Sequence, residues 1–238
     1  MPDLGGRIAI VTGAAGNLGR AVAQAFHSAG SSTALVELDR PSLYEAFGDI
    51  GEASDHLLIG GVDLAEPEAA GRMVEAAHDR FGRIDILVNT VGGCRAGKPV
   101  HEDDPETWDF LFDLNVRTAV NACRGVIPHM LRQGHGRIIN VGSRNALLGG
   151  AKASAYSAAQ TAVLRLTESL SAEVKESDIN VNCVLPGTLD TPENRAAMPD
   201  ADRSKWVDPA AVADVITFLA SDTSRSIHGA AIPAYGRS

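Results

Sequence analysis

Three polar residues near the middle of the chain are of types that move protons: Ser143, Tyr156 and Gln160. The phenol lies thirteen positions after the hydroxyl, and the amide four after the phenol. Residues four apart on a helix stand one above the other. Tyr156 and Gln160 therefore share a face of the Ala-rich helix expected from about Ser154 to Glu176. Ser143 follows a hydrophobic strand pattern, Arg137 to Gly142 (RIINVG). Two oxygen acids and a hydrogen-bonding amide in one cleft suit proton transfer to or from a carbonyl or alcohol oxygen. Alone, the same residues also describe a Ser at a strand end and a Tyr on a buried helix face. The rest of the chain tips the balance to chemistry.

A second constellation lies near the N-terminus. Arg7 to Thr12 (RIAIVT) reads as a strand, followed at once by GAAGNLG, a helical pattern GRAVAQAFHSAG that stops at Gly30, and a second strand, STALVEL. Strand, Gly-rich turn, helix and strand make a βαβ unit with a phosphate-binding turn. Gly13, Gly16 and Gly19 let the backbone approach a pyrophosphate, and the helix N-terminus offers free N–H groups and a partial positive charge. Glu37 ends the second strand, eighteen residues past Gly19, with Asp39 two further along on the same face. A carboxylate there accepts hydrogen bonds from ribose hydroxyls and repels a 2′-phosphate. No Lys or Arg lies within the glycine turn, so NAD is favoured over NADP, with Arg40 the one cation that speaks for the phosphate.

The elements that position these residues continue the alternation. Strand patterns recur at Leu57 to Val62, Ile84 to Asn89, Arg137 to Gly142 and INVNCVL, with a short tail strand, GAAIPAY. Between them lie EPEAAGRMVEAAHDRFG, a long helix opened by Pro105, the Ala-rich helix, and DPAAVADVITFLASD. Pro128 is expected to bend or end the long helix, and PGTLDTPENRAAMPDADRSKWV reads as irregular. Apolar strands alternating with helices predict an α/β protein. The expected form is one doubly wound (Rossmann) domain over residues 1–238, with a parallel sheet of about seven strands covered by helices on both faces.

The bulk composition agrees. The chain is 45% hydrophobic and 21% charged, with a formal net charge of −9, and no basic run appears. Nucleic acid and anionic membrane are thereby disfavoured as partners. No apolar run reaches membrane-spanning length, and the opening MPDLGGR lacks the pattern of a signal peptide. Cys94, Cys123 and Cys183 are unevenly spaced and read as reduced thiols of a cytoplasmic protein. No Cys or His pair has metal-ligand spacing, so no metal is expected.

Taken together, the motifs resemble the short-chain dehydrogenase/reductase family over essentially the whole chain. The family's T-G-x-x-x-G-x-G appears as TGAAGNLG, Thr12 to Gly19, with Asn17 in place of the middle glycine and Leu18 beside it. Asn tolerates left-handed backbone angles, so the turn is expected to survive. The resemblance implies cofactor contacts from Asp63 and Leu64 after the third strand and from Asn89 in NTVG, the counterpart of N-N-A-G. It implies further contacts from Pro186-Gly187, the backbone at Leu189 and the hydroxyl of Thr191. Asn115, Ser143 and Tyr156 match the family's catalytic Asn, Ser and Tyr. The activity implied by the resemblance is that of an NAD(H)-dependent oxidoreductase acting between a carbonyl and a secondary alcohol, with Tyr156 as acid–base and Ser143 on the substrate oxygen. Packing of the long and Ala-rich helices against a neighbour implies a homodimer or homotetramer, with Ala158, Ala159 and Ala162 permitting close approach.

One departure bears on mechanism. The family's Y-x-x-x-K has Gln160 where its lysine binds the nicotinamide ribose and lowers the tyrosine pKa. Gln reaches ribose hydroxyls but carries no charge. At an effective dielectric of ~20 and a distance of ~5 Å, the lost charge is worth roughly 3 kcal/mol to a phenolate, about two pKa units. Arg144 or Lys152 are the candidates for a substitute charge. The alternative reading is a dinucleotide-binding protein with little or no catalysis, a sensor or an assembly subunit. Leu189 to Trp206 is also similar to the substrate loop of dihydropteridine reductases, which hints at the substrate.

Overall fold

The computed structural model describes residues 2–49 and 55–237. Seven strands form one parallel sheet in the order β3-β2-β1-β4-β5-β6-β7. They are β1 (Ile8–Thr12), β2 (Ser32–Glu37), β3 (His56–Gly60), β4 (Ile86–Asn89), β5 (Gly136–Val141), β6 (Ile179–Pro186) and β7 (Ala231–Ala234). Helices α1 (Asn17–Ser28), α2 (Arg40–Phe47) and α3 (Pro67–Phe81) connect the first half. Helices α4 (Pro105–Phe112), α5 (Thr118–Gln133), α6 (Ser154–Val174), α7 (Pro192–Ala197) and α8 (Pro209–Ala220) belong to the second.

Alternation along each strand divides the core. Ala9 and Val11 of β1 face a cluster with Val22 and Phe26 of α1 and Val212 and Ile216 of α8. Ile10 faces the opposite cluster, with Met73 and Val74 of α3 and Val126 and Met130 of α5. A parallel sheet buried on both sides requires this arrangement, and it accounts for apolar strands with little polar alternation. After β3 the chain crosses back to place β4 beside β1, where the strand order reverses, and the carboxyl ends of these two strands splay a crevice there.

Four local expectations are revised. Helix α2 was not expected, although Asp39 caps its first turn through Ser42 N (3.1 Å) and Pro41 sits in that turn, both ordinary start signals. The stretch after β6 includes α7, capped by the Thr191 hydroxyl accepting from Asn194 N. Pro128 does not end α5, which continues to Gln133 and stops at Gly134, held at φ +68°. Packing of Cys123, Val126 and Met130 in the core sustains the turns on either side, so the missing N–H removes one bond and not the helix. The long helix is interrupted earlier instead, by a π-turn at Asp113–Arg117. Such turns are frequent at functional sites, and this one contains Asn115.

Helix α1 meets the turn after β1 so closely that a Cβ at Gly19 would clash with the Gly13 carbonyl oxygen and stand 2.8 Å from Ala14 Cα. Gly19→Ala is therefore expected to push α1 off the turn. Overpacking of this kind costs about 1–3 kcal/mol, which lowers Tm by several degrees in a chain of this size. A thermal scan checks it.

Candidate active site

The crevice at the carboxyl ends of the strands is one continuous cleft with two lobes, both lined by Gly13, Gly16, Thr90, Val91 and Gly92. Its larger lobe has a cavity volume of about 760 Å³, within the range of ligand sites.

The glycine turn forms the floor. Gly13 sits at φ +61°, and a Cβ there would press on Val91 N and the Thr90 hydroxyl at 3.1–3.2 Å. Gly16 caps α1 in extended conformation with no side chain over the helix end, so the first-turn N–H groups face the cleft uncovered. Asn17 is simply the first helical residue and is not left-handed, contrary to expectation; only Lys152 and Asp178 among described non-glycine residues have positive φ. Its side chain instead donates to Glu193 Oε2 across the cleft (2.8 Å).

The smaller lobe receives Glu37, Asp63 and Leu64. The Glu37 carboxylate accepts from Ala15 N (3.1 Å) and Leu38 N (2.8 Å), which ties the end of β2 to the glycine turn. Asp39 is spent on capping α2, and Arg40 lies over the Tyr44 ring at 5.4 Å, outside the cleft lining. Asn121 on α5 donates to the carbonyls of Leu64 (2.9 Å) and Ala65 (3.0 Å) and holds the loop after β3 in place.

The larger lobe brings together Asn17, Leu18, Gly19, Asn115, Ser143, Tyr156, Gln160, Pro186, Gly187, Leu189 and Thr191. Asn89 stands apart. Its amide donates to Asn140 Oδ1 (2.9 Å) inside the sheet layer and it does not line the cleft. The next three residues, Thr90 to Gly92, form the wall in its place. Glu193, Asn194 and Met198, inside the Leu189–Trp206 stretch read as a substrate loop, also line this lobe, as do Cys94 and Asn145, which sequence reasoning did not single out as site residues. Their signal is positional: each follows closely on an expected site residue at a strand end.

Ser143 leaves β5 in extended conformation, its Oγ accepting from Asn145 N at 3.0 Å. The phenol of Tyr156 lines the same lobe as this hydroxyl. Burial pushes the Tyr156 pKa above the usual tyrosine value; the Ser143 hydroxyl pulls it back in part, and the Cys94 thiol nearby adds to the rise.

Behind the phenol, Asn115 uses its whole hydrogen-bonding capacity. Its Nδ2 donates to Gly93 O (3.1 Å) and Leu111 O (2.9 Å), and its Oδ1 accepts from Gly93 N and Gln160 Nε2, both at 3.0 Å. Because Asn115 must present its oxygen there, Gln160 must present its NH₂. Gln160 Oε1 is left buried with no partner among the described residues, beside Gly142. Of the two candidate substitute cations, Arg144 lines the cleft, stacked over Tyr235 at 5.5 Å, and Lys152 does not.

Residues 7–202 match the short chain dehydrogenase family. The chain belongs to that family. It is 34% identical over 235 residues to the (2S)-[(R)-hydroxy(phenyl)methyl]succinyl-CoA dehydrogenase subunit BbsD of Thauera aromatica, covering 94% of this chain and 92% of the relative. It is 33% identical to the 2-(R)-hydroxypropyl-CoM dehydrogenase of Xanthobacter autotrophicus, covering 95% and 96%. Among solved structures, gox2181 superposes with a TM-score of 0.92 at 28% identity, covering 98% of this chain and 96% of that one. This short-chain dehydrogenase is accordingly an oxidoreductase of small molecules, in a family that uses nicotinamide dinucleotides. The residues present fit such a group: a glycine floor a Cβ would fill, an uncovered helix end, and a buried acceptor awaiting a donor. No helix among the described residues is long and apolar enough to cross a membrane.

A phenol held above its usual pKa ionises late. In a spectrophotometric titration, a component beyond pH ~10 is expected from one of the three tyrosines, and Tyr156→Phe should remove it. A late component that survives the substitution contradicts the assignment.

Proposed function

We propose that this short-chain dehydrogenase, acting as a single domain over residues 1–238, is an NAD(H)-dependent enzyme interconverting a carbonyl and a secondary alcohol. The observation that carries the reading is that Ser143, Tyr156 and Gln160 line the same cleft as the glycine turn and the Glu37 carboxylate. Both relatives named above carry a secondary alcohol in their substrate names, which supports the reaction class. The relation of α4, α5 and α6 to a neighbouring subunit, as a homodimer or homotetramer, belongs to the same proposal.

A nicotinamide dinucleotide bound in the cleft supplies or takes up the hydride. In reduction, the Ser143 hydroxyl holds the substrate oxygen and the neutral Tyr156 phenol gives it a proton. In oxidation, the phenolate takes the alcohol proton. Gln160 Oε1 accepts from a ribose hydroxyl, which satisfies the buried orphan, while Asn115 fixes the amide from behind. Leu189 and Thr191 hold the carboxamide end, and Glu37 the adenosine ribose. The raised phenol pKa makes reduction the easier direction at neutral pH, since that direction needs the protonated form.

A second reading is favoured by the absence of charge at Gln160 and by the name of one relative, which is a subunit of its dehydrogenase. In it the chain binds the dinucleotide and assists a catalytic partner. Binding of NADH without turnover across a carbonyl panel would favour it over the first.

If Glu37 selects NAD, NADH binds more tightly than NADPH. Glu37→Gln keeps an acceptor for Ala15 N and removes the charge, so the gap should shrink by about tenfold to a hundredfold, the worth of a charged hydrogen bond. Fluorescence titration with both dinucleotides measures it, and equal affinities in the unmodified protein would sink the assignment.

The acid–base reading is tested at position 160. Oxidation should be weak at pH 7 and climb towards pH ~10, because only the phenolate accepts a proton and its pKa is raised. Gln160→Lys puts a cation one turn from the phenol and should move that profile down by about one to two pH units. Turnover near neutrality then rises roughly tenfold to a hundredfold where ionisation limits the rate. An unchanged profile together with a dead Tyr156→Phe variant means that another charge, Arg144 first, already acts on the phenol. An active Tyr156→Phe variant overturns the acid–base assignment itself.

A further inference from the structure

At the amino ends of the strands, away from the cleft, the fold brings together two histidines that are far apart in sequence. His27 lies in the last turn of α1 with its ring exposed, and His56 is the first residue of edge strand β3, buried. Their ring nitrogens, His27 Nδ1 and His56 Nε2, are 3.1 Å apart. Asp55, half exposed, places Oδ2 3.6 Å from the same His56 Nε2, and one ligand atom from each residue lies within 4.8 Å of the others.

We propose that His27, His56 and Asp55 form a binding site for a divalent transition-metal ion of the zinc class. The ligand set has two imidazoles and one carboxylate, a combination suited to that class and also found, with Glu, in zinc enzymes. At metal–nitrogen distances of ~2.0–2.1 Å, two nitrogens on one ion stand about 3.4 Å apart in tetrahedral geometry and about 2.9 Å apart at right angles. The observed 3.1 Å lies between these. The Thr33 hydroxyl is 2.8 Å from His56 Nδ1, and Thr33 is the register partner of His56 across β2 and β3. By accepting the Nδ1 proton, that hydroxyl leaves the Nε2 lone pair directed at His27, which is how outer partners orient metal-bound imidazoles. The exposed side of His27 and Asp55 leaves a position open to water and a path for the ion. The ion would clamp the end of α1 to a strand that has a neighbour on one side only.

The test uses untagged, chelator-stripped full-length protein and zinc chloride, followed by calorimetric titration and thermal scans. One saturable ion per chain is expected, with Tm rising by roughly 5–10 °C at a hundredfold excess over Kd. His27→Ala should abolish both effects. Its ring is exposed, so the fold does not depend on it, and an unchanged Tm without zinc verifies that. Thr33→Val should weaken binding at least about tenfold without touching a ligand. His78→Ala removes a residue of the other close cluster, Glu75, His78 and Asp79 on α3, and should change nothing. Absence of saturable binding, or binding that survives His27→Ala, overturns the proposal and leaves the pair as an imidazole–imidazole hydrogen bond.

Discussion

Everything in the larger lobe is referred to one buried side chain. Asn115 sits in a π-turn, and its amide joins the loop after β4, at Gly93, to helix α6, at Gln160, while also closing its own helix at Leu111. Two donors and two lone pairs are all that an Asn possesses, and all four are engaged. The π-turn accords with this. Its extra residue in the helical turn is accompanied by a side chain that bonds Leu111 O from within the break. No other residue type supplies a donor pair and an acceptor pair at so short a reach. Asp would turn both nitrogen-side contacts into repulsions between an oxygen and a carbonyl.

A consequence passes to residue 160. With the orientation of Asn115 settled, a donor is demanded there, and Gln supplies it with one atom to spare. A buried acceptor without a partner costs about 1–3 kcal/mol, and of the four such atoms among the described residues only Gln160 Oε1 belongs to a residue that lines the cleft, where a ligand donor can reach it. Charge is what Gln fails to supply. Burial and the missing cation then act on Tyr156 in the same direction, and both favour the neutral phenol. Arg144, lining the cleft beside Ser143, is the candidate cation to oppose them.

The parts of this arrangement that were legible in the sequence are those carried by short-range pattern. Strand β1, the glycine turn and α1 announce themselves by alternation and spacing, and Ser143, Tyr156 and Gln160 emerge from a strand end and a helical repeat. Helix α2 was overlooked despite its Asp–x–Pro start, because its apolar stripe amounts to one fully buried residue, Leu43. The π-turn was hidden because its cause lies across the fold at Gly93. Asn89 illustrates the same limit: its position at a strand end was readable, but which way its amide turned depended on Asn140, fifty-one residues on. The pairing of His27 with His56 likewise exists only once β3 has docked beside β2.

The two ends of the sheet divide stability from chemistry. At the amino ends Asp85, fully buried, accepts from Ile8 N (2.9 Å) and from Arg83, and Arg137 is buried between Asp178 and Asp222. Burial lowers the Arg137 pKa, and the two carboxylates oppose that, so the charge persists where it holds β5 to the loop that enters β6. Removing both carboxylates would leave the buried guanidinium without its counter-charges, which makes Arg137 and its partners costly to change. At the carboxyl ends the polar groups face the cleft: uncovered helix N–H groups, a carboxylate held by backbone, and an amide oxygen orphaned as Arg137 Nε is at the other end. Unsatisfied groups there are sustainable because the opposite end and the two apolar layers fix the strands independently of any ligand. The parallel topology enforces the separation, since every strand delivers its carboxyl end to the same rim.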